Sequence, residues 1–587
     1  MQKNRRLAWI IARIADFARQ VRGSGTRSIR QMIGRAALCI QSFRKRFSHF
    51  RLPHKMSEQK RTLVILVAIL VITLSSIRVR DSLKRADIPE AERPLAFSQE
   101  WETLSLPFAM PPVQLFIFPD RTCSIDQYGA INDGETSNTQ AIAIAIDDCA
   151  RQGGGTVAIP AGKWLTGPIR LQSNIRLDIA EGAEVLFSQT FSDYLPVVFS
   201  RYEGMEYYNY SPLIYARDCH DIAITGKGTL NGRGEAWWSW QKRQLAAVKK
   251  LYRMSDINIP TEERVFGTEA AGLRPSFVQF VNCTRIELTG FTIKNGPMWT
   301  IHPIYSDTIL IQGVTVTTEG PNNDGIVIDS SRNALIENVR LDTSDDAIVI
   351  KSGLDRGGQR VGKPSENIVI RDCSIGRGNS GIAIGSEMSG DVRNVFVSRC
   401  DFDGTKRGLR VKSAPGRGGI VENVWAEDIA MKNIQAEAIQ IDASYDSKNL
   451  IRPTTANLPL FRNFFFKDIE CLQADTAISI IGATNSPIQN LSFKNIRMRS
   501  ERSIVLQDVN GIRFENADIQ TRQRPLISAS NVQNAVFSAL EHPPTYRPFV
   551  LIEGSRSSDI RFRSGYPAKA VRLGREVDRA TVSYAGE

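Results

Sequence analysis

One phrase of sequence recurs through the second half of the chain and restricts its fold more than any other feature. Each copy joins two short runs of alternating apolar and polar residues through a polar or glycine corner, a pattern that predicts two short strands. The copies are DIAITGKGTLNG from Asp221, RIELTGFTIKNG from Arg285, TILIQGVTVTTE from Thr308, ALIENVRLDTS from Ala334, NIVIRDCSI from Asn367, NVFVSRCDF from Asn394, VENVWAEDI from Val421, FRNFFFKDI from Phe461, IQNLSFKNI from Ile488 and IRFENADI from Ile512.

The spacing of the copies indicates how the strands are arranged. A chain of 587 residues is longer than one hydrophobic core usually supports, so it needs several domains or an elongated repeat. The copies return roughly every 20 to 40 residues, whereas a propeller blade needs about 40 to 45 residues and four strands. We therefore predict an all-β fold, a right-handed parallel β-helix in which each strand pairs with its counterpart one coil on.

The first coil of such a solenoid needs a cap that blocks edge pairing. The stretch NTQAIAIAIDDCARQGG from Asn138 has apolar residues at helical spacing and ends in glycines, so it predicts a capping helix. The β-helix domain is predicted over residues 121–587, after a proline-rich linker over residues 78–120 that has room for one extra strand. The tail from about residue 545 no longer repeats cleanly. Because a solenoid needs no partner to bury its core, we expect a monomer.

The net charge of +12 is concentrated at the N-terminus. Residues 1–62 contain 16 Lys or Arg against Asp16 and Glu58, a net of +14, which leaves 58 basic and 60 acidic residues, a net of −2, in the rest of the chain. The β-helix domain therefore has no global basic field, which argues against nucleic-acid binding.

An apolar run, LVILVAILVITL from Leu63 to Leu74, follows the basic segment and extends to Ile77 if two serines are admitted. A membrane span needs roughly 20 residues and a signal-peptide core about 7 to 15, so residues 63–77 predict export. No small-x-small cleavage site follows, and basic residues from Arg78 onward stand where a cleaved signal prefers neutral residues, so an uncleaved anchor in the inner membrane is an open alternative to a cleaved signal. A buried core helix is the alternative. Met56 is an alternative start, which would leave residues 1–55 untranslated.

Eight cysteines are scattered along the chain without a CxxC pair, so no zinc or redox motif is visible. Cys373 and Cys400 occupy matching places in successive repeats, where they should stack. Two buried thiols are preferred over a disulfide, because free cysteine behaves as a small hydrophobic residue.

Three carboxylates are predicted to meet on one side of the solenoid. Asp324 and Asp346 are 22 residues apart, about one coil, so aligned corners would place them on adjacent coils about 4.8 Å apart. Asp345 can face the same cleft only if the strand ends in a turn there. Arg410 and Lys412 follow on a later coil and, two residues apart, share a face.

This combination suits glycoside hydrolysis with inversion, in which one carboxylic acid protonates the leaving oxygen and a carboxylate activates water. Crowding raises the pKa of one carboxyl so that it holds a proton near neutral pH, and the two cations would pair with an anionic sugar. Any one of these residues could instead be a solvated Asp or Asn at a corner of the solenoid. Their alignment on successive coils favours a functional site.

At this point the chain resembles the pectin-degrading polygalacturonases of glycoside hydrolase family 28, over roughly residues 124–446, and especially their bacterial exo-acting branch. The motifs that carry the resemblance are the opening stretch YGAINDGETSNTQAIAIAIDDCARQGGGTVAIPAGKWLTGPIRLQSNIRLDIAEGA, GRGEAWW from Gly232, NGPMWTIHP from Asn295, GSEMSG from Gly385, the pair Tyr445–Asp446, NND at 322–324, DD at 345–346 and RVK at 410–412.

The resemblance implies hydrolysis of α-1,4 links between galacturonic acid residues, by inversion and without a metal or other cofactor. It implies that Asp345 is the general acid and that Asp324 and Asp346 position and deprotonate the water. It also implies that Arg410, Lys412 and Tyr445 bind the substrate, a pectic polysaccharide or oligogalacturonide.

Three further residues are weaker candidates for the same site. Lys351 is a candidate for binding the anionic sugar. Trp299 and His302 could line the cleft, although a buried aromatic residue and a hydrogen-bonded core histidine are equally compatible with the pattern.

Two departures from the family pattern bear on function. Asn379 stands where the family has the histidine of Gly-His-Gly, and an asparagine keeps a hydrogen bond of similar reach but cannot carry charge. Val327 stands where the family commonly repeats an aspartate. Slow or altered catalysis is expected from Asn379, by about 10 to 100-fold on the analogy of supporting hydrogen bonds at metal sites.

Three functions therefore remain as hypotheses. The first is an exported polygalacturonate hydrolase, for which the resemblance to the exo-acting branch implies attack from the chain end. The second is a hydrolase of another pectic or acidic glycan such as rhamnogalacturonan, and the third a non-catalytic glycan-binding β-helix. The alternative reaction on this fold is lyase elimination, which requires calcium ligands and a base near the sugar C5. The aspartate pair favours hydrolysis instead. Chain-end preference should depend on loops at the cleft ends, for which residues 240–275 are the candidates.

Overall fold

In a computed structural model of the chain, the described residues are 106–113, 116–445, 457–541, 549–563 and 570–584. The predicted basic segment, the apolar run 63–77 and the alternative start at Met56 lie outside them. Within the described part of the chain, no helix is long and apolar enough to span a membrane.

The strands form three rows, and within each row every strand pairs in parallel with its counterpart one coil on. The repeat pattern predicts this pairing, because the inward apolar residues of each copy can be buried only against the neighbouring coils. The fold is therefore the predicted right-handed parallel β-helix.

The first row contains the first strand of each copy. Its strands, numbered with all others in chain order, are β1 (Thr122–Ser124), β3 (Gly155–Ile159), β6 (Ile175–Ile179), β11 (His220–Gly226), β14 (Thr284–Thr289), β17 (Asp307–Gln312), β20 (Arg332–Glu337), β23 (Ser365–Arg371), β26 (Val392–Asp403), β28 (Ile420–Lys432), β30 (Leu460–Ile481), β31 (Ile488–Arg502), β32 (Ile504–Thr521), β33 (Ile527–Glu541), β35 (Ser558–Arg563) and β37 (Val582–Tyr584).

The second row contains the strands after the corner. They are β2 (Asp133–Ser137), β4 (Gly162–Thr166), β7 (Ala183–Phe187), β12 (Thr229–Asn231), β15 (Thr292–Lys294), β18 (Thr315–Thr317), β21 (Arg340–Asp342) and β24 (Ser374–Ile375). From Val392 onward the two predicted strands of a copy are one long strand that bends at a residue with a left-handed backbone, such as Arg399 (φ 50°) in β26.

The third row contains β5 (Ile169–Arg170), β10 (Ile214–Arg217), β13 (Val278–Val281), β16 (Ile301–Ile304), β19 (Ile326–Asp329), β22 (Ile348–Lys351), β25 (Ile382–Ile384), β27 (Leu409–Lys412), β29 (Glu437–Asp442), β34 (Val550–Glu553) and β36 (Val571–Leu573). Parts of β30, β32 and β33 continue this row between β29 and β34. The coils thus extend past residue 545, where the sequence repeat fades, to Tyr584.

The predicted capping helix is present as α1 (Thr139–Arg151). Its residues Ile142, Ala145, Ile146 and Cys149 are buried in the main core. The other helices among the described residues are α2 (Glu235–Trp238), α3 (Leu245–Asp256) and α4 (Asp355–Val361), with short 3₁₀ turns at Ile125–Tyr128, Phe191–Tyr194, Ser239–Lys242, Thr261–Glu263 and Arg579–Thr581.

A lobe made of residues 198–209 and 245–273 covers part of the third row. It contains the antiparallel hairpin of β8 (Val198–Tyr202) and β9 (Met205–Asn209) together with α3. Its apolar side chains pack on Trp299, Val327, Val349 and Ala383, forming a second core outside the solenoid. The candidate loop region 240–275 therefore lies on the strand row that bears the predicted carboxylates.

The C-terminal part of the predicted linker, residues 106–113, packs on the outside of the first row. Leu106, Phe108, Met110 and Val113 contact an apolar strip formed by Leu310, Leu335, Val369 and Phe396. The described part of this segment contains no strand.

Side chains that repeat on successive coils stack inside and outside the core. Five phenylalanine rings, at 466, 493, 514, 537 and 562, lie with centroids 4.8–5.7 Å apart. Cys373 and Cys400 are both buried free thiols, as predicted. Six asparagines, at 333, 367, 394, 423, 463 and 490, form a ladder in which the amide nitrogen of every member after Asn333 donates to the amide oxygen one coil before, at 2.9–3.2 Å. Asn333 itself donates to Asp307 Oδ1 at 2.8 Å.

Candidate active site

Asp324 and Asp346 occupy the same position on adjacent coils. Strands β19 and β22 pair with an offset of 22 residues, and the amide of Gly325 donates to the carbonyl oxygen of Asp346 at 3.0 Å. Asp345 and Asp346 lie in a bend just before β22 begins at Ile348. In a regular strand the side chains of Asp345 and Asp346 would point to opposite faces, but in the bend both can lie near Asp324. The three aspartates, here called the carboxylate cluster, are close enough for their charges to shift one another's pKa.

Lys412 anchors one member of the carboxylate cluster. Its ammonium Nζ lies 2.8 Å from Asp346 Oδ2, and both side chains are buried. Burial alone would raise the pKa of Asp346, but Lys412 and then Arg410 outweigh it and lower that pKa to about 2. Asp346 is therefore ionised across the physiological pH range.

The other two members have the opposite shift. Burial, followed by the charge of Asp346, raises the pKa of Asp345. Burial, followed by the charge of Asp345, raises the pKa of Asp324 well above its ordinary value. Neighbouring carboxylates whose pKa values are pushed apart are the arrangement that acid and base catalysis needs.

The predicted substrate-binding cations lie beside the cluster on β27. Arg410 Nε donates to Gln440 Oε1 at 2.8 Å, and its guanidinium carbon lies 5.0 Å from the centre of the Tyr445 ring. Lys412 lies 5.5 Å from the same ring. The structure therefore brings Arg410, Lys412 and Tyr445 together at the cluster.

Lys351 is also at the site, but in a buried position. Its Nζ lies 2.7 Å from Glu387 Oε2, 4.0 Å from Asp324 Oδ2 and 4.6 Å from the centre of the Trp299 ring. Sequence reasoning missed Glu387, although it is the glutamate of the GSEMSG stretch that resembles the family. Burial would raise the pKa of Glu387, but Lys351 lowers it to about 2.

Asn379 contacts both catalytic candidates of the bend. Its amide nitrogen lies 3.4 Å from Asp345 Oδ1 and 3.5 Å from Asp346 Oδ1, and its backbone N–H donates to the carbonyl of Asp345 at 2.9 Å. Arg407 Nη1 lies 3.4 Å from the Asn379 amide oxygen and also pairs with Glu437. The cation on the oxygen side orients the amide so that its NH₂ faces the carboxylates.

Glu203 is a further acidic residue that the sequence did not single out. It is at the tip of the β8–β9 hairpin, where no periodic pattern marks it. Burial and the charge of Glu387 raise its pKa to about 7, against the opposing charge of Lys351. The lobe therefore contributes a titrating group near Lys351 and Glu387.

Trp299 and His302 are buried rather than exposed in a cleft. His302 is fully buried and bonded through Nε2 to Asp329 Oδ2 at 3.3 Å, and Asp329 also pairs with Arg201 at 2.9 Å. Val327 packs against the lobe in the second core. An aspartate at 327 would be placed among apolar side chains, which accounts physically for valine at this position in this chain.

Comparisons with known proteins agree with this geometry. The model of the family described as Glycosyl hydrolases family 28 matches residues 149–517. A probable polygalacturonase of Vitis vinifera is 29% identical over 387 residues, covering 64% of this chain and 74% of its own. An exo-poly-alpha-D-galacturonosidase of Dickeya chrysanthemi is 27% identical over 427 residues, covering 68% of this chain and 70% of its own.

A solved structure gives the same result. The hyperthermoactive exopolygalacturonase of Thermotoga maritima superposes with a TM-score of 0.67 at 38% identity, covering 69% of this chain and 93% of its own. Fold, carboxylate cluster and sequence similarity coincide on the same coils. The chain therefore belongs to glycosyl hydrolase family 28.

Proposed function

We propose that the protein hydrolyses the α-1,4 links of polygalacturonate and inverts the anomeric configuration. The observation that carries the proposal is the division of the carboxylate cluster into one member held ionised, Asp346, and two whose pKa is raised, Asp324 and Asp345. An inverting glycosidase needs one protonated and one ionised carboxyl on opposite sides of the bond it cleaves.

Asp345 is assigned as the general acid. It is the most exposed member of the cluster, so it can reach the glycosidic oxygen, and its raised pKa favours the proton that it must donate. Its proton goes to the leaving oxygen as the bond to C1 breaks.

Asp324 and Asp346 are assigned to the attacking water. A carboxylate with a pKa of about 2 is a weak base, so Asp346 serves mainly to orient the water while Lys412 keeps it charged. Asp324, with its higher pKa, is the better acceptor once it is ionised. The water's oxygen bonds to C1 and its proton passes to Asp324.

Arg410, Lys412 and Tyr445 are assigned to substrate binding. The two cations suit the carboxylate of a galacturonate residue, and both lie over the Tyr445 ring, 5.0 and 5.5 Å from its centre. Asn379 supports the acid by donating to its carboxylate.

We further propose attack from the chain end. The lobe of residues 198–209 and 245–273 packs on the strand row of the cluster, which would close one end of the cleft. The printed names of the Dickeya chrysanthemi and Thermotoga maritima relatives both specify exo action. Release of monomers or dimers only, resolved by anion-exchange chromatography, supports this; a ladder of intermediate oligomers contradicts it.

The test of the reaction compares reducing-sugar release from polygalacturonate by wild type and by the Asp345→Asn variant. Rapid release by wild type and its near loss in the variant are expected, and equal release by both would overturn the mechanism.

A second candidate, hydrolysis of another acidic glycan such as rhamnogalacturonan, is favoured by Asn379 and Val327, and release on that polymer alone would support it. Binding of polygalacturonate without turnover would instead indicate a glycan-binding protein.

For location, we propose export of a monomeric enzyme to the periplasm or the cell exterior. The support is the apolar run 63–77, with its basic flank, as a signal core or an inner-membrane anchor. N-terminal sequencing of the exported protein tests both alternatives and the start at Met56.

A further inference from the structure

Lys351 does not have the surroundings of a substrate contact. Its side chain is only 6% exposed, it lies over the Trp299 ring, and its ammonium is bound to Glu387 at 2.7 Å. Lys412 has a comparable ion pair with Asp346, but Lys351 lies in addition against the Trp299 ring, which packs in the second core beneath the lobe. The arrangement instead points the charge of Lys351 at Asp324, 4.0 Å away.

Asp324 is the member of the cluster that most needs such a cation. It is 3% exposed and faces two other carboxylates, Asp345 and Asp346. Both burial and like charge favour its protonated form, in which it could not accept a proton from water. The cations that face it are Lys351 and Lys412, and Lys412 is already bound to Asp346 at 2.8 Å.

We propose that Lys351 is a positioning residue, clamped by Glu387, whose charge favours the ionised form of Asp324 and so supports Asp324 as the base and Asp345 as the acid. This inference rests on the proposed function. It moves Lys351 from substrate binding to the organisation of the catalytic carboxylates, and it adds Glu387 to the residues on which catalysis depends.

Glu387 sets the strength of the effect. It holds Lys351 in place, but its own charge partly offsets that of Lys351 at Asp324. Glu203 and Arg417 also face Glu387, with opposite charges, from the hairpin and from the loop after β27. Neutralising Glu387 should therefore shift the ionisation of Asp324 in the direction opposite to neutralising Lys351.

The experiment measures kcat and KM on polygalacturonate from pH 3 to pH 9 for wild type, Lys351→Met and Glu387→Gln. Methionine keeps the length of lysine without its charge, so Asp324 should ionise only at higher pH. We expect the acidic limb of the kcat profile to move up by about one pH unit or more and kcat at the wild-type optimum to fall about 10 to 100-fold. KM should change less than about threefold, because Lys351 does not contact the substrate.

Glu387→Gln should move the acidic limb to lower pH with a smaller loss of kcat. Lys467→Met, which removes an exposed lysine far along the solenoid, is the matched control and should leave the profile unchanged. Thermal denaturation of each variant identifies any that fails to fold.

The outcomes separate this inference from the proposed function. If wild type releases no sugar from polygalacturonate, the proposed function fails. If wild type is active but Lys351→Met raises KM without moving the acidic limb, Lys351 binds substrate and the inference is overturned. The inference is also overturned if the acidic limbs of the kcat profiles of Lys351→Met and Glu387→Gln move in the same direction, or if neither moves.

Discussion

The asparagine ladder and the carboxylate cluster are two uses of one device. In both, polar side chains on adjacent coils are brought together by the parallel pairing of the strands. The ladder places six amides in line, each bonded to the next at 2.9–3.2 Å. The cluster places two buried carboxyl groups and one partly buried carboxyl group close enough to shift one another's pKa.

The difference between them lies in the chemistry of the repeated group. An amide both donates and accepts, so each member of the ladder can bond to its neighbours. An ionised carboxylate only accepts, so stacking creates repulsion that has to be opposed by cations such as Lys412 and Lys351. The ladder should therefore contribute to stability and not to activity, and the cluster to activity at a cost in stability.

Removing a charge from the cluster should have the largest effect of all. We expect Asp324→Asn to lower kcat about 10²- to 10⁴-fold, the range of a lost general base. The free energy of unfolding of the same variant should be higher than that of wild type by about 1–2 kcal/mol near pH 7. The reason is that the pKa of Asp324 is raised in the folded protein, so its ionised form opposes folding. Reducing-sugar assays and urea denaturation measure the two effects. Loss of both activity and stability would show that Asp324 has a structural role instead.

Breaking the ladder should give the opposite result. Asn423 donates to Asn394, accepts from Asn463 and has a left-handed backbone (φ 59°). Asn423→Ala should cost about 2–3 kcal/mol of stability, since it loses two hydrogen bonds and places a Cβ in a strained conformation. Turnover should be unchanged. Asn423→Gly is the matched control, because glycine removes the hydrogen bonds but relieves the strain, so its loss should be smaller; equal losses would mean that the backbone conformation contributes nothing.

Restoring the family's histidine at the edge of the cluster should have a moderate effect. A protonated imidazole at residue 379 would face Asp345 and Asp346 and favour their charged forms. We expect Asn379→His to move the alkaline limb of the kcat profile to lower pH by about 0.5–1 unit, because Asp345 would lose its proton sooner. Asn379→Gln should not move it. A profile for Asn379→His that superimposes on that of wild type would mean that residue 379 does not act on the chemistry.

The sequence predicted those features that repeat. The period of the copies gave the coils, the 22-residue interval aligned Asp324 with Asp346, and the apolar spacing of residues 139–151 gave the capping helix. Each of these depends on local pattern and on pairing between neighbouring coils, which are encoded residue by residue. The asparagine of the ladder also recurs near the start of successive copies, but its stacking was not predicted.

The features that do not repeat could not be predicted from the sequence pattern. Glu203 and Glu387 reach the site from a hairpin and from a loop, and their positions depend on how the lobe packs on Trp299 and Val327. Burial of Lys351 is a tertiary consequence as well, because an alternating strand residue could face either solvent or the lobe. The pKa of each cluster member likewise depends on distances that no spacing in the sequence specifies.

Neutralising the acidic residue that the lobe contributes should have the smallest effect. The pKa of Glu203 rises from 4.5 to about 7 in the folded protein, mainly through burial and then through the charge of Glu387. Between these two pH values the folded protein binds a proton that the unfolded chain does not, so stability falls as the pH rises through this window. Glu203→Gln removes the dependence and should exceed wild type by about 1 kcal/mol at pH 8, with little difference at pH 4.5. Urea denaturation at pH 4.5, 6 and 8 measures the gap; a gap that does not grow with pH would place Glu203 in solvent, away from the cluster whose charges it is expected to sense.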